Sequence, residues 1–132
     1  METQLATSLA ADKRTVQQFY DLAFNQKKPA DAAAKYLGKV YRQHNPGAGD
    51  GPEAFVAFVT SFVKAHPALR FDLKRTIAEG DFVVTHSHMT LNPADRGTAV
   101  MDIFRLEKGK IVEHWDVLQQ IPAEAANDNT MF

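Results

Sequence analysis

Apolar residues at Val16, Phe19, Tyr20, Ala23 and Phe24 recur at the i, i+3, i+4, i+7 and i+8 spacing of one helical face, and predict an amphipathic helix from about Leu9 to Gln26. Pro29 stops it. The alanine-rich run from Ala30 to Leu37, with Asp31 near its start, predicts a second, shorter helix that Gly38 ends. Val40 to Asn45 follows as a short strand, and Pro46, Gly47, Gly49 and Gly51 make a loop. Pro52 suits the first turn of a third helix, whose stripe of Phe55, Val56, Phe58, Val59, Phe62 and Val63 is wide enough to be buried and which should end before Pro67. From Leu69 onward the period changes to two. Turn signals at Glu79-Gly80-Asp81, at Asn92 to Gly97 and at Glu107-Lys108-Gly109 divide four strands, expected as an antiparallel meander.

Helices followed by a run of strands is the α+β pattern, in which helices cover one face of a curved sheet and a pocket forms between the layers. The chain has 132 residues and no long linker, so a single domain is expected, with its core at about residues 12–121. Residues 1–8 and 123–132 have little periodicity and are expected to be mobile. With 45% hydrophobic residues the chain can build one core without a staple.

Fifteen basic and sixteen acidic residues are spread along the chain for a formal charge of -1. No stripe suits a phosphate backbone or an anionic membrane, so neither nucleic acid nor membrane is expected as a partner. The absence of cysteine excludes disulfides, a thiol nucleophile and thiolate metal ligands, and fits the cytoplasm. The N-terminal stretch has no apolar run of signal-peptide or membrane-span length.

The candidate chemistry lies between Asp81 and Gln119 and depends on one hairpin. A three-residue loop at Glu107-Lys108-Gly109, closed by a left-handed glycine, pairs Leu106 with Lys110, Phe104 with Val112, Asp102 with His114 and Val100 with Asp116. One face then carries Val100, Asp102, Phe104, Val112, His114, Asp116 and Leu118: apolar walls with two carboxylates and an imidazole, as in small-molecule sites. A two-residue loop would instead put Asp102 beside Trp115, so the site depends on this parity. On the preceding strand Phe82, Val84, His86, His88 and Thr90 share a face, which brings two more imidazoles toward the same space, and His44-Asn45 could close its mouth. Phe104 and, from the first helix, Phe19 and Tyr20 complete the expected lining.

A carboxylate in an apolar cavity has its pKa raised by desolvation, so Asp116 is the candidate proton shuttle with Asp102 and His114 as neighbours. Three readings stay open at this stage. A cofactor-independent enzyme would abstract a proton next to a carbonyl of a small hydrophobic molecule. A binding module would use the same pocket without chemistry. A metal enzyme would use His86, His88 and His114, although the sequence lacks the glutamate that usually follows such a pair.

Four segments in this order carry a resemblance: Tyr41-Arg42-Gln43-His44-Asn45-Pro46, Gly80 to His86, Met101-Asp102-Ile103-Phe104-Arg105, and Gly109 to Val117. The chain resembles the SnoaL-like polyketide cyclase group of the nuclear-transport-factor-two-like superfamily over roughly residues 12–121. The resemblance implies a cone-shaped α+β barrel, with about three helices on a strongly curved, mixed but mainly antiparallel sheet. It also implies a homodimer through the outer sheet face, which would account for apolar Met101, Ile103, Trp115 and Val117. An acid/base aspartate on a late strand, here Asp116, would act with no metal and no cofactor. Asp102 and His114 resemble its polar neighbours, and His44, Asn45, His86 and His88 the pocket lining. Because the same fold hosts isomerases, epoxide hydrolases, dehydratases and binding modules, the resemblance leaves the reaction open, although Arg105 falls on the opposite strand face from Asp102, which counts against the epoxide-hydrolase arrangement.

Overall fold

The computed structural model describes residues 2–132, with side chains from Ser8 onward. Of the start expected to be mobile, residue 1 and the side chains of residues 2–7 lie outside what is described. Helix α1 (Glu2–Tyr20) begins earlier than the periodicity predicts and runs into a π-helical turn, Asp21–Asn25. Val16, Phe19, Tyr20 and Ala23 are buried along one side of this continuous element, as the spacing requires. Its end is tied down by Asn25, whose amide donates to the Phe71 carbonyl and whose oxygen accepts from the Phe71 N–H, both at 2.9 Å. Lys27 turns the chain with φ 59, and Pro29 occupies the first turn of α2 (Pro29–Tyr36), where its missing N–H costs nothing.

Strand β1 (Leu37–Gln43) follows α2 directly, so Gly38 lies in a strand and does not serve as a helix stop. Helix α3 (Pro52–Ala65) opens at the expected proline, after Gly51 at φ 95. Of its broad apolar stripe only Phe55 and Val59 are buried, whereas Phe58 is 44% exposed. The helix uses one edge of the stripe for the core and leaves the other at the rim of a cavity.

Strands β2 (Arg70–Glu79), β3 (Phe82–Thr90), β4 (Thr98–Glu107) and β5 (Lys110–Gln120) form the expected meander. The sheet order is β1-β5-β4-β3-β2, with β1 parallel to β5 and every other pair antiparallel. The sheet curls around the helices, α1 packing on β2 and α3 on β1. It is curled and not closed, since β1 and β2 remain as edges. The core is built on packed aromatics, with Phe19 tilted against Phe55 at 5.1 Å and Tyr20 edge-to-face with Phe104 at 5.5 Å between ring centres. Among the described residues no helix is long and apolar enough to cross a membrane.

The β4–β5 hairpin corrects the expected register. Its loop has two residues, Lys108 and Gly109, both at positive φ (50 and 76), which is the primed turn that matches strand twist. Glu107 pairs with Lys110 and Leu106 with Ile111, but the next pair is Arg105 with Glu113. Val112 is thus an extra residue in β5, a β-bulge. It seats over Gly38, where an added Cβ would lie 2.9 Å from Val112 Cγ1. The bulge reverses the parity change of the shorter loop. Asp102 now pairs with Asp116, Phe104 with His114 and Val100 with Leu118, all still on the inner face. Ile111, not Val112, joins Leu106 in the core.

Beyond β5 the chain has no helix or strand, and Phe132 lies against His88 and His86 at 4.6 and 5.3 Å between ring centres.

Candidate functional site

A cavity of about 220 Å³ lies between the helices and the concave side of the sheet. Phe19, Tyr20 and Phe24 wall it from α1 and the π-helical turn, and Phe55, Phe58, Val59 and Phe62 from α3. Phe71, Met89, Val100 and Phe104 continue the apolar surface across β2, β3 and β4. Polar groups converge from four places: Tyr20 on α1, Tyr41 and Gln43 on β1 with Asn45 just after it, Asp102 on β4, and His114 and Asp116 on β5. No lysine or arginine is among the described lining residues.

Asp102 and His114 are buried, at 1% and 7% exposure, and His114 Nε2 lies 2.7 Å from Asp102 Oδ1. The partners are diagonal neighbours across the β4–β5 ladder. Asp116 is half-buried, with Oδ2 4.0 Å from His114 Nε2. The Asn45 amide donates to both its oxygens, at 2.8 and 3.1 Å. Burial pushes the Asp116 carboxyl above its ordinary value and the charge of Asp102 adds to this, against the lowering effects of the Asn45 hydrogen bond and of His114. The Tyr20 phenol is pushed well up, first by burial and then by the charge of Asp102, so it stays a neutral hydroxyl beside that carboxylate.

Asp102, His114 and Asp116 form a group of metal-ligand type, each offering an atom within 4.8 Å of the others. Each of the three already has a hydrogen-bond partner. Nε2 meets Oδ1 at direct hydrogen-bond distance, and the Asp116 oxygens accept from Asn45.

Of the residues expected from sequence, Asp102, His114, Asp116, Asn45, Phe104, Phe19 and Tyr20 meet in this cavity. His44, His86 and His88 do not, which corrects their expected role as lining. His44 faces the outer side of the sheet, stacked on Trp115 at 4.6 Å with its Nε2 2.7 Å from Glu113. In β3 the inner face carries Val83, Thr85 and Ser87, all fully buried, because Thr85 pairs with Asp102 and Val83 with Phe104. His86 and His88 therefore point outward, His86 to Arg75 and His88 to the Arg96 carbonyl, and the His86–His88–His114 metal reading falls with them. Tyr41 and Gln43 were missed. Alternation through Tyr41, Gln43 and Asn45 was the available signal, and it would have excluded His44.

Residues 16–114 match the family described as SnoaL-like domain. The chain belongs to the SnoaL-like family. Solved structures agree with this assignment in fold. TsrD from Streptomyces laurentii is similar at 25% identity and a TM-score of 0.66, over 80% of this chain and 89% of that one. A candidate polyketide cyclase from Bacillus cereus gives 20% identity and a TM-score of 0.70, over 82% and 74% of the two chains. A SnoaL-like protein of unknown function from Burkholderia thailandensis gives 17% and 0.69, over 83% and 96%. No curated protein matches the chain. Within this SnoaL-like fold the curled sheet holds the His114–Asp102 dyad and Asp116 in the wall of an apolar cavity.

Proposed function

We propose that this SnoaL-like protein is a cofactor-independent acid/base enzyme acting on a small, uncharged, hydrophobic carbonyl compound. The observation that carries the reading is Asp116, a half-buried carboxyl raised by desolvation and 4.0 Å from a buried imidazole at the polar end of an apolar cavity. Asp116 takes a proton from the carbon next to the carbonyl. The C–H electron pair becomes a carbon–carbon double bond as the carbonyl π pair moves to oxygen, and the enolate oxygen takes a hydrogen bond from the His114–Asp102 pair. The enolate then attacks an internal carbonyl, as in an aldol closure, or is reprotonated elsewhere, as in an isomerisation.

Size and charge narrow the substrate. A cavity of 150 Å³ holds benzene, so about 220 Å³ suits one substituted ring of roughly ten non-hydrogen atoms, well short of a multi-ring polyketide. With two carboxylates and no lysine or arginine in the described lining, an anionic substrate finds no partner.

Asp116→Asn is expected to leave the fold intact and to reduce turnover about 10²- to 10⁴-fold. Screening should begin with enolisable single-ring ketones, and undiminished turnover of a real substrate by this variant would end the assignment. One observation favours a non-catalytic binding module: Asn45 already engages both Asp116 oxygens. In that case Asp116→Asn would retain affinity for the cavity's ligand and there would be no turnover to lose.

We further propose a homodimer through the outer sheet face, where Met101, Ile103 and Val117 are 38%, 39% and 69% exposed beside Trp115. Sedimentation should give two chains for the wild type and one for Ile103→Lys. The cytoplasm is the proposed compartment, on the absence of cysteine.

A further inference from the structure

The orientation of a side-chain amide is usually ambiguous, but two amides beside the dyad are each fixed by a backbone donor. The Asn45 N–H donates to Gln43 Oε1 at 2.9 Å, and Gln43 Nε2 donates to the Tyr41 hydroxyl at 3.2 Å. One step along the loop, the Gly47 N–H donates to Asn45 Oδ1 at 2.8 Å, which turns Asn45 Nδ2 onto Asp116. Gln43 is held in turn by its own N–H, which donates to Asp50 Oδ1 at 2.7 Å. The sequence Gln43-His44-Asn45-Pro46-Gly47 thus presents an acceptor to His114 and a donor to Asp116.

The consequence is a proton count. Gln43 Oε1 lies 2.8 Å from His114 Nδ1 and is an oxygen that can only accept, so Nδ1 carries a hydrogen. A neutral imidazole then has a bare Nε2. That nitrogen is 2.7 Å from Asp102 Oδ1, and an ionised carboxylate is acceptor-only as well. Two bare acceptors do not sit at that distance, so a second proton lies between them. The groups packed around the pair do not offer another source of balance. They are the Tyr20 phenol from α1, the Tyr41 phenol from β1, the Thr85 hydroxyl from β3 at 3.5 Å, and Asp116 on β5.

We infer that Gln43 is a positioning residue that locks His114 with its hydrogen on Nδ1, so that His114 Nε2 and Asp102 Oδ1 share one further proton. Resting on the acid/base reading above, this makes the dyad the proton donor and leaves Asp116, which only accepts from Asn45, as the base. Acid and base are then separated before substrate arrives. When Asp116 removes the substrate proton, the shared proton moves toward the enolate oxygen and the pair retains Nδ1–H. Return of the Asp116 proton to product carbon and of the enol proton to the dyad restores the starting count.

The test needs no substrate. In a long-range proton–nitrogen spectrum of the ¹⁵N-labelled full chain at neutral pH, His114 Nδ1 is expected to be protonated. The carbon shift of the Asp102 carboxyl then reports which partner holds the second proton. Gln43→Met keeps the length and removes the acceptor, so His114 should move to the neutral tautomer with Nε2–H and a bare Nδ1. Gln43→Glu restores an acceptor and should restore Nδ1–H, a rescue that a merely space-filling Gln43 would not require. A bare Nδ1 in the wild type overturns the inference, as does a Gln43→Met spectrum with both nitrogens unchanged. If Gln43→Met does not fold, the wild-type spectrum decides alone. Because these readouts are taken without turnover, they stand apart from the Asp116→Asn activity test.

Discussion

The two faces of the sheet each carry a histidine–carboxylate pair at the same distance, 2.7 Å, and the two pairs do different things. On the inner face, His114 and Asp102 have 9% and 1% of their side chains exposed. On the outer face, His44 and Glu113 have 44% and 13% exposed, and Glu113 is shared with Arg105 Nε at 2.8 Å. Distance alone does not set the worth of a contact. In water-rich surroundings such a pair is screened and contributes little, whereas a buried partner cannot be left alone. The outer network keeps Glu113 ionised, its carboxyl held low first by the His44 hydrogen bond and then by Arg105. The inner set does the reverse for Asp116, raising it by burial.

Breaking the inner pair should have the largest effect. His114→Leu leaves the Asp102 carboxylate buried without its imidazole partner and is expected to cost about 3–5 kcal/mol, measured by urea denaturation. A loss near that of the outer pair would mean that water reaches Asp102. Next in size is the outer pair. His44→Ala should cost no more than about 1 kcal/mol, with Arg105 still on Glu113. Because the Glu113 carboxyl is lowered on folding, the stability it contributes is present above its unfolded value and lost as pH falls through the folded value. The deficit of His44→Ala should therefore be visible near neutral pH and shrink in acid.

The smallest effect has the opposite sign and sharpens the contrast. The Asp116 carboxyl is raised on folding, so its ionised form costs stability above its folded value, and that cost fades as acid protonates it. Asp116→Asn should leave the thermal midpoint at neutral pH unchanged or slightly higher, with any gain vanishing in acid. A clear drop in the midpoint would show that the Asn45 contact with Asp116 is mainly structural.

Much of this architecture was legible along the chain. Helical spacing located α1 and α3, period-two runs located the four-strand meander, and turn residues located its breaks, because these patterns record local geometry directly. The inner positions of Asp102, His114 and Asp116 were legible too, but by an argument whose register was off by two residues. The two-residue turn and the Val112 bulge each shift the pairing by one, and their effects on parity cancel. Whether a bulge forms depends on what seats the extra side chain, here the space over Gly38 in a strand more than seventy residues earlier in the chain.

The histidines of β3 could not be assigned to a face in the same way. Both faces of that strand alternate plausibly, with Phe82 and Val84 on one and Val83 and Thr85 on the other, so composition does not choose between them. Pairing with Asp102 through Thr85 chooses, and it turns His86 and His88 away. By itself, then, the sequence determined the elements, their order and the residue types available for chemistry, since these follow from local spacing and turn preference. Which of five histidines meets a carboxylate out of water was decided only by tertiary structure, because strand parity, bulges and burial are set by partners distant in the chain.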